Sequence, residues 1–160
     1  MWYKLLGALA LVLSGGYGAF LLNRFASGRI DRLDALIALL RLTKTQIDCF
    51  SLPVKDIFSR CEPTLLRRCG WREETPPDGF DLFCRGADRT LLSEEGERIL
   101  TDFCDEIGNG YRQDQIRACD YSIGLFCAER DRLLSEFPHA RERNITLCLA
   151  AAAGLAVMLL

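Results

Sequence analysis

The chain has 160 residues, 26% of them charged, with eight cysteines, one histidine and a net charge of −2; its mean hydropathy is +0.07. All 22 acidic residues and 19 of the 20 lysines and arginines lie between Asn23 and Asn144, leaving Lys4 as the one charged side chain outside that block. The block nets −3 (19 basic against 22 acidic) with both signs interspersed, so it offers no broad basic surface for phosphate, which argues against a nucleic-acid partner.

The charge segregation divides the chain into an apolar arm at each end and a polar domain of ample size for one core. Leu5 to Leu22 is an uncharged run of 18 residues. As a helix it reaches about 27 Å, against a hydrocarbon layer of about 30 Å, with Trp2 and Tyr3 placed as interfacial anchors. A cleavable signal peptide is the rival reading. No A-x-A site follows the run, and Arg24 and Arg29 come directly after it, so residues 1–22 are expected to be an uncleaved membrane anchor.

Apolar residues then recur at Ile30, Leu33, Leu36, Ile37, Leu39, Leu40 and Ile47, the spacing of a helix with one hidden face. Gly28 is the one breaker between this helix and the arm, so the anchor helix is expected to continue to about residue 49. In "SLPVKDIFSRC" Ser51 is placed as a cap and Pro53 in the first turn, with Val54, Ile57, Phe58 and Cys61 on one side. Pro63 ends that helix and opens another covering Leu65, Leu66 and Cys69. "TPPDG", Thr75 to Gly79, has the composition of a turn, and "GFDLFCRG" after it is a short apolar segment.

From Ser93 to Ile107 the spacing predicts a helix with Ile99, Leu100, Phe103, Cys104 and Ile107 inward. Its acidic start "SEEGE" suits the helix dipole, and the glycines of "IGNGY" close it. In the last helix Ile116, Cys119, Ile123, Phe126, Leu133 and Phe137 keep a 3,4 spacing. Arg130 interrupts that stripe and is expected at the end of the bundle or against a carboxylate. Pro138 is expected to kink or break the helix. The chain closes on Ile145 to Leu160, 16 uncharged residues expected to form a second anchor. Arg141 and Arg143 precede it and can snorkel to lengthen its span, and the missing polar tail is read as nothing acting on the far side.

Both basic flanks, Arg24, Arg29 and Arg32 after the first arm and Arg141 and Arg143 before the second, place residues 23–144 on the cytoplasmic side. Gly15 with Ala19 and Ala150 with Gly154 are small residues four apart, a spacing that lets two membrane helices pack closely. Seven cysteines in the domain suit no closed disulfide framework, and no C-x-x-C or zinc pattern is present; on a reducing face they are expected to be free thiols filling the core. His139 beside Pro138 is expected at the solvated interface. No phosphate loop, nucleophile elbow or dinucleotide fingerprint occurs. The reading is therefore an all-α, small cytoplasmic helical bundle of about five or six helices (residues 23–144), flanked by transmembrane helices (1–22 and 145–160), with no cofactor and no enzymatic machinery.

The layout, "LLGALALVL", "LDALIALLRLTKTQI", "SLPVKDIF", "IGNGYRQDQIRAC" and a terminal anchor, resembles the stage III sporulation protein AB family of endospore-forming Firmicutes over essentially the whole chain. That family's domain is similar to the helical domain of type II secretion F-family platform proteins. The resemblance implies a membrane platform in the channel complex joining mother cell and forespore, working with a secretion-type ATPase on the same side, with a homodimer restoring the domain pair of the two-domain platforms. Ile107, Gly108, Arg112 and Gln115 fit the family's turn; Tyr111 departs where an acidic or hydroxyl residue is usual, so that either Asn109 caps the last helix or the cap is lost. Arg112, Asp114 and Gln115 are the candidate partner contacts. A membrane-tethered regulatory adaptor, and a thiol or metal enzyme using the cysteines, are the alternatives.

Overall fold

The computed structural model describes the backbone of residues 2–50, 54–108 and 110–159, with side chains described for all of these except 2–6, 8, 9, 11, 12, 50, 54, 55 and 156–159. The described residues are helical and contain no strand: α1 (Trp2–Phe50), α2 (Val54–Ile57), a 3-10 turn (Phe58–Arg60), α3 (Pro63–Arg68), α4 (Phe80–Gly86), α5 (Glu94–Glu106) and α6 (Arg112–Leu159). The all-α expectation holds, and α1 runs from the arm to Phe50 through Gly28 as the spacing required. The expected caps at Ser51 and Asn109, the Pro53 first-turn position, the inward Val54 side chain and the Trp2 and Tyr3 anchors lie outside the described residues.

The chain divides into two compact units, residues 29–132 and residues 1–28 with 133–160. In the first, Leu33, Leu36, Leu39 and Leu40 of α1 are buried together with Ile57, Phe58, Leu66, Ile99, Leu100, Phe103 and Phe126. Each such side chain contributes roughly 1.5–3 kcal/mol by leaving water. The short helices carry an aromatic cluster. Phe58 lies 4.7 Å from Phe80 and 5.5 Å from Phe83, Phe80 meets Phe103 edge-on at 5.2 Å, and Trp71 stacks on Phe83 at 6.2 Å. The segment "GFDLFCRG" is thereby explained: it forms α4, whose Phe80, Phe83 and Cys84 point inward. Trp71 Nε1 donates to the Thr75 carbonyl at 2.7 Å, which anchors the expected 75–79 turn to the core. Pro63 occupies the first turn of α3, as expected.

Three expectations change. Cys84 of α4 and Cys104 of α5 form a disulfide with Cα atoms 6.6 Å apart, so not all domain cysteines are free; a single cross-link needs only two adjacent helices, whatever the total count. Arg32 is not part of a surface basic flank. It is 8% exposed, with Nη1 lodged against Gly70 and lacking a hydrogen-bond partner; burial lowers the guanidinium pKa and the nearby Asp88 raises it. The buried line of α6 is Ala118, Cys119, Ser122, Phe126 and Glu129, whereas Ile116 and Ile123 are half-buried. The buried line thus passes through Ser122 and Glu129, and Glu129, whose charge alone would place it outside, has partners there.

One partner lies at the start of α5 and the other on α6 itself. Ser93 caps the helix by accepting from Gly96 N–H at 3.0 Å and donates its own hydroxyl proton to Glu129 Oε1 at 2.6 Å. Arg132 grips both oxygens of Glu129, at 2.8 and 2.7 Å. The Arg132 bonds hold the Glu129 carboxyl below its ordinary value against the opposing effect of burial, and Ser93 adds to the lowering. Arg130 meets a carboxylate as expected, with Asp34 at 3.4 Å and Asp131 at 2.7 Å. Farther along, Lys44 pairs with Asp120 at 2.7 Å, so α1 and α6 run antiparallel within this unit.

In the second unit Gly15 faces α6. A Cβ added there would lie 2.9 Å from both the Ala152 Cβ and the Cys148 carbonyl oxygen. Ala19 and Ala152 are each 5% exposed, and Asn144 Nδ2 donates to Asn23 Oδ1 at 3.5 Å. The arms pack through small residues, but the partners of Gly15 are Cys148 and Ala152, not Ala150 and Gly154, both of which are exposed. Pro138 does not break α6. The carbonyl deprived of a donor belongs to Leu134, a residue 47% exposed, which leaves it where solvent can serve it.

Candidate functional site

Two places in the molecule hold residues whose arrangement goes beyond forming a core. The first is the pair of arms. Two helices in water hide their large apolar side chains and leave small or polar ones outside. Here the order is reversed. Gly15, Ala19 and Ala152 form the contact, while Leu13, Tyr17, Phe20, Leu21, Leu22 and Phe25 of α1 and Leu147, Leu149 and Leu155 of α6 stay exposed, Leu13 at 65% and Leu147 at 62%. Close approach through small residues with bulky apolar residues outward is how helices associate in lipid, where burying leucine against leucine gains little. Exposed apolar surface of this extent marks an interaction with a membrane or a partner. Among the described residues no helix is long and apolar enough to cross a membrane; Leu5, Leu6, Ala8, Leu9, Leu11 and Val12 of the first arm and Ala156–Leu160 of the second lie outside the described side chains.

The second place is the turn before α6. Gly108 and Gly110 have φ of 89° and 116°, in the left-handed region that glycine enters without a Cβ clash. The turn delivers Tyr111, whose carbonyl accepts from the N–H groups of Asp114 and Gln115 at 3.0 and 3.1 Å. The three residues singled out from the sequence gather here, each already engaged within the chain. Arg112 donates to Asp48 Oδ1 at 2.8 Å and also to the Asp48 carbonyl, fastening the start of α6 to the end of α1. Asp114 pairs with Arg117 at 3.7 Å. Gln115 Nε2 donates to the Gly110 carbonyl at 3.2 Å. Their observed contacts close the turn, and Tyr111 beside them is 85% exposed. Sequence reasoning noted Tyr111 as a departure from the family pattern and passed over Tyr121, 68% exposed on α6; an exposed aromatic carries no periodicity signal that would have flagged it.

Three free cysteines, Cys61, Cys69 and Cys119, show the environment of core filler. Burial pushes the thiols of Cys61, Cys69 and Cys119 up to about 11, 12 and 12, whereas a nucleophilic or metal-binding thiol needs the opposite shift. Among the described residues no three His, Cys, Asp or Glu side chains converge on a metal-sized point. No protein-family model, curated protein or solved structure matches the chain.

Proposed function

We propose that the chain is a non-enzymatic membrane platform: two arms seated in the bilayer, and the helical domain on the cytoplasmic side as the docking body for a secretion-type ATPase, in the channel complex that the stage III sporulation resemblance implies. The observation that carries the membrane part is the inverted packing of the arms, with Gly15 against Ala152 and leucine, phenylalanine and tyrosine outward. Arg24, Arg141 and Arg143, all exposed, support the cytoplasmic side. The Cys84–Cys104 disulfide pulls the other way, since disulfides persist in oxidising compartments. Both cysteines are 8% exposed or less, which shields the bond from soluble thiols, because exchange requires access to sulfur. The ATPase partnership and the homodimer rest on the resemblance alone.

Cys49, exposed at the end of α1, is a native reporter of side. Expressed in a spore-forming bacterium, the chain should show Cys49 protected from a membrane-impermeant maleimide added to intact cells and modified after lysis, while cysteines introduced at residues 2 and 160 should react from outside. Modification of Cys49 in intact cells would overturn the orientation and with it the ATPase partnership. Crosslinking in membranes that yields only monomer would remove the homodimer.

A further inference from the structure

Where the arms end, three cations stand without a partner. Asn144 Nδ2 donates to Asn23 Oδ1 at 3.5 Å. Within one helical turn of that bond lie Arg24 of α1 and Arg141 and Arg143 of α6, all exposed and all in the unit formed by residues 1–28 and 133–160. Among the described residues none of the three makes an ion pair or a side-chain hydrogen bond. Glu142 is the one carboxylate at this level, and it lies about 100° around the helix from each of its neighbours.

Each arginine also stands one turn from a bulky apolar side chain on its own helix. Arg24 follows Phe20 and Leu21 by four and three residues, Arg141 precedes Ile145 by four, and Arg143 precedes Leu147 by four; residues so spaced share a helix face. Phe20, Leu21, Ile145 and Leu147 are 58%, 46%, 37% and 62% exposed. On α1 the apolar neighbours come before the arginine, and on α6 they come after it. Gly15 lies against Cys148 and Ala152 while Asn23 meets Asn144, so the two helices run antiparallel here. The apolar side chains therefore all lie to the same side of the arginines, about 5.4 Å along the helices.

We propose that this level of the arms binds the headgroup phosphate of an anionic phospholipid such as phosphatidylglycerol, with its acyl chains laid along Phe20, Leu21, Ile145 and Leu147. The inference rests on the arms lying in the bilayer. A soluble anion would engage the cations and leave the four apolar side chains in water, whereas a lipid engages both. A zwitterionic lipid carries an ammonium beside its phosphate, so three cations against one carboxylate select a headgroup of net negative charge. The guanidinium fork suits this role, because it can hold two phosphate oxygens at once.

The test uses the full chain in phosphatidylcholine vesicles, with Leu21→Trp as a reporter one turn from Arg24 in a Trp2→Phe background; Trp71 is buried and adds a constant signal. Brominated lipid quenches tryptophan on contact, so brominated phosphatidylglycerol and brominated phosphatidylcholine can be compared at that position. Phosphatidylglycerol should be preferred, each arginine contributing about five-fold at low salt, as one basic side chain does at an anionic surface. Arg24→Gln with Arg141→Gln and Arg143→Gln should equalise the two lipids with the helical circular dichroism unchanged. The same loss of charge at Arg60, Arg67 and Arg68, exposed in the domain, should leave the preference intact. Equal quenching before any arginine is replaced, or a preference that survives the triple replacement, would overturn the proposal and leave the membrane reading standing. A reporter quenched by neither lipid would overturn the membrane reading and the proposal with it. Loss of the preference in inorganic phosphate, beyond the effect of chloride at equal ionic strength, would assign the arginines to a soluble anion instead.

Discussion

Replacing Ser93 distinguishes a local role from a network role. As a cap alone, Ser93 contributes about 1 kcal/mol. Its hydroxyl also donates to Glu129 at 2.6 Å, a bond to a charged acceptor, worth roughly 1.5–3 kcal/mol. Because Arg132 still holds both oxygens of Glu129, part of that second contribution survives, and Ser93→Ala is expected to cost about 2 to 3 kcal/mol. Ser93→Asp separates the two roles. Aspartate caps as well as serine, so a cap alone predicts no change; beside Glu129 it replaces a donor by a second carboxylate, and a loss at least as large as that of Ser93→Ala follows.

The pH dependence carries a sign. Glu129 has a folded pKa below its ordinary 4.5, so its stabilisation is present above the unfolded value and is lost as pH falls through the folded one. The gap between the native chain and Ser93→Ala should therefore narrow in acid, leaving the cap contribution. Urea unfolding followed by Trp71 fluorescence in a Trp2→Phe background, at pH 7 and in acid, measures both. A Ser93→Asp chain as stable as the native one at pH 7 would refute the network.

Gly86→Ala places a Cβ 2.5 Å from the Trp71 ring, which is buried and tied to Thr75; overpacking should cost about 1–3 kcal/mol, read as a lower urea midpoint. Gly18→Cys puts a thiol beside Cys148, whose Sγ lies 4.0 Å from the added Cβ, and mild oxidation should give an intramolecular cross-link detectable by mass spectrometry, while Gly154→Cys should give none with residues of α1. Iodoacetamide at pH 8 should modify exposed Cys49 readily and spare Cys61, Cys69 and Cys119, whose thiols stay protonated, until denaturant exposes them. Replacing Cys84 and Cys104 together by serine opens a loop with a sequence separation of 20 and should lower stability by about 3 kcal/mol, with the helical spectrum retained.

Local sequence signals identified the inward line Leu33, Leu36, Ile37, Leu40 and Ile47 of α1, a helix over residues 93–107 that the structure places at Glu94–Glu106, and the role of Pro63, because helix geometry and helix ends are set by residues within a few positions of one another. The charge boundary at Asn23 and Asn144 likewise follows from composition. What needed tertiary structure is everything fixed by how one helix is rotated against another. The Cys84–Cys104 bond depends on α4 lying along α5. The burial of Glu129 and Arg32, which composition alone would place in solvent, goes with Ser93 and Asp88 arriving from elsewhere in the chain. The arms show the division most plainly: four-residue spacing in α1 named Gly15 and Ala19, but in α6 it named Ala150 and Gly154 where packing chose Cys148 and Ala152. A two-residue shift turns a helix face by about 200°, and only contact with the partner helix decides which of two small-residue faces is turned inward.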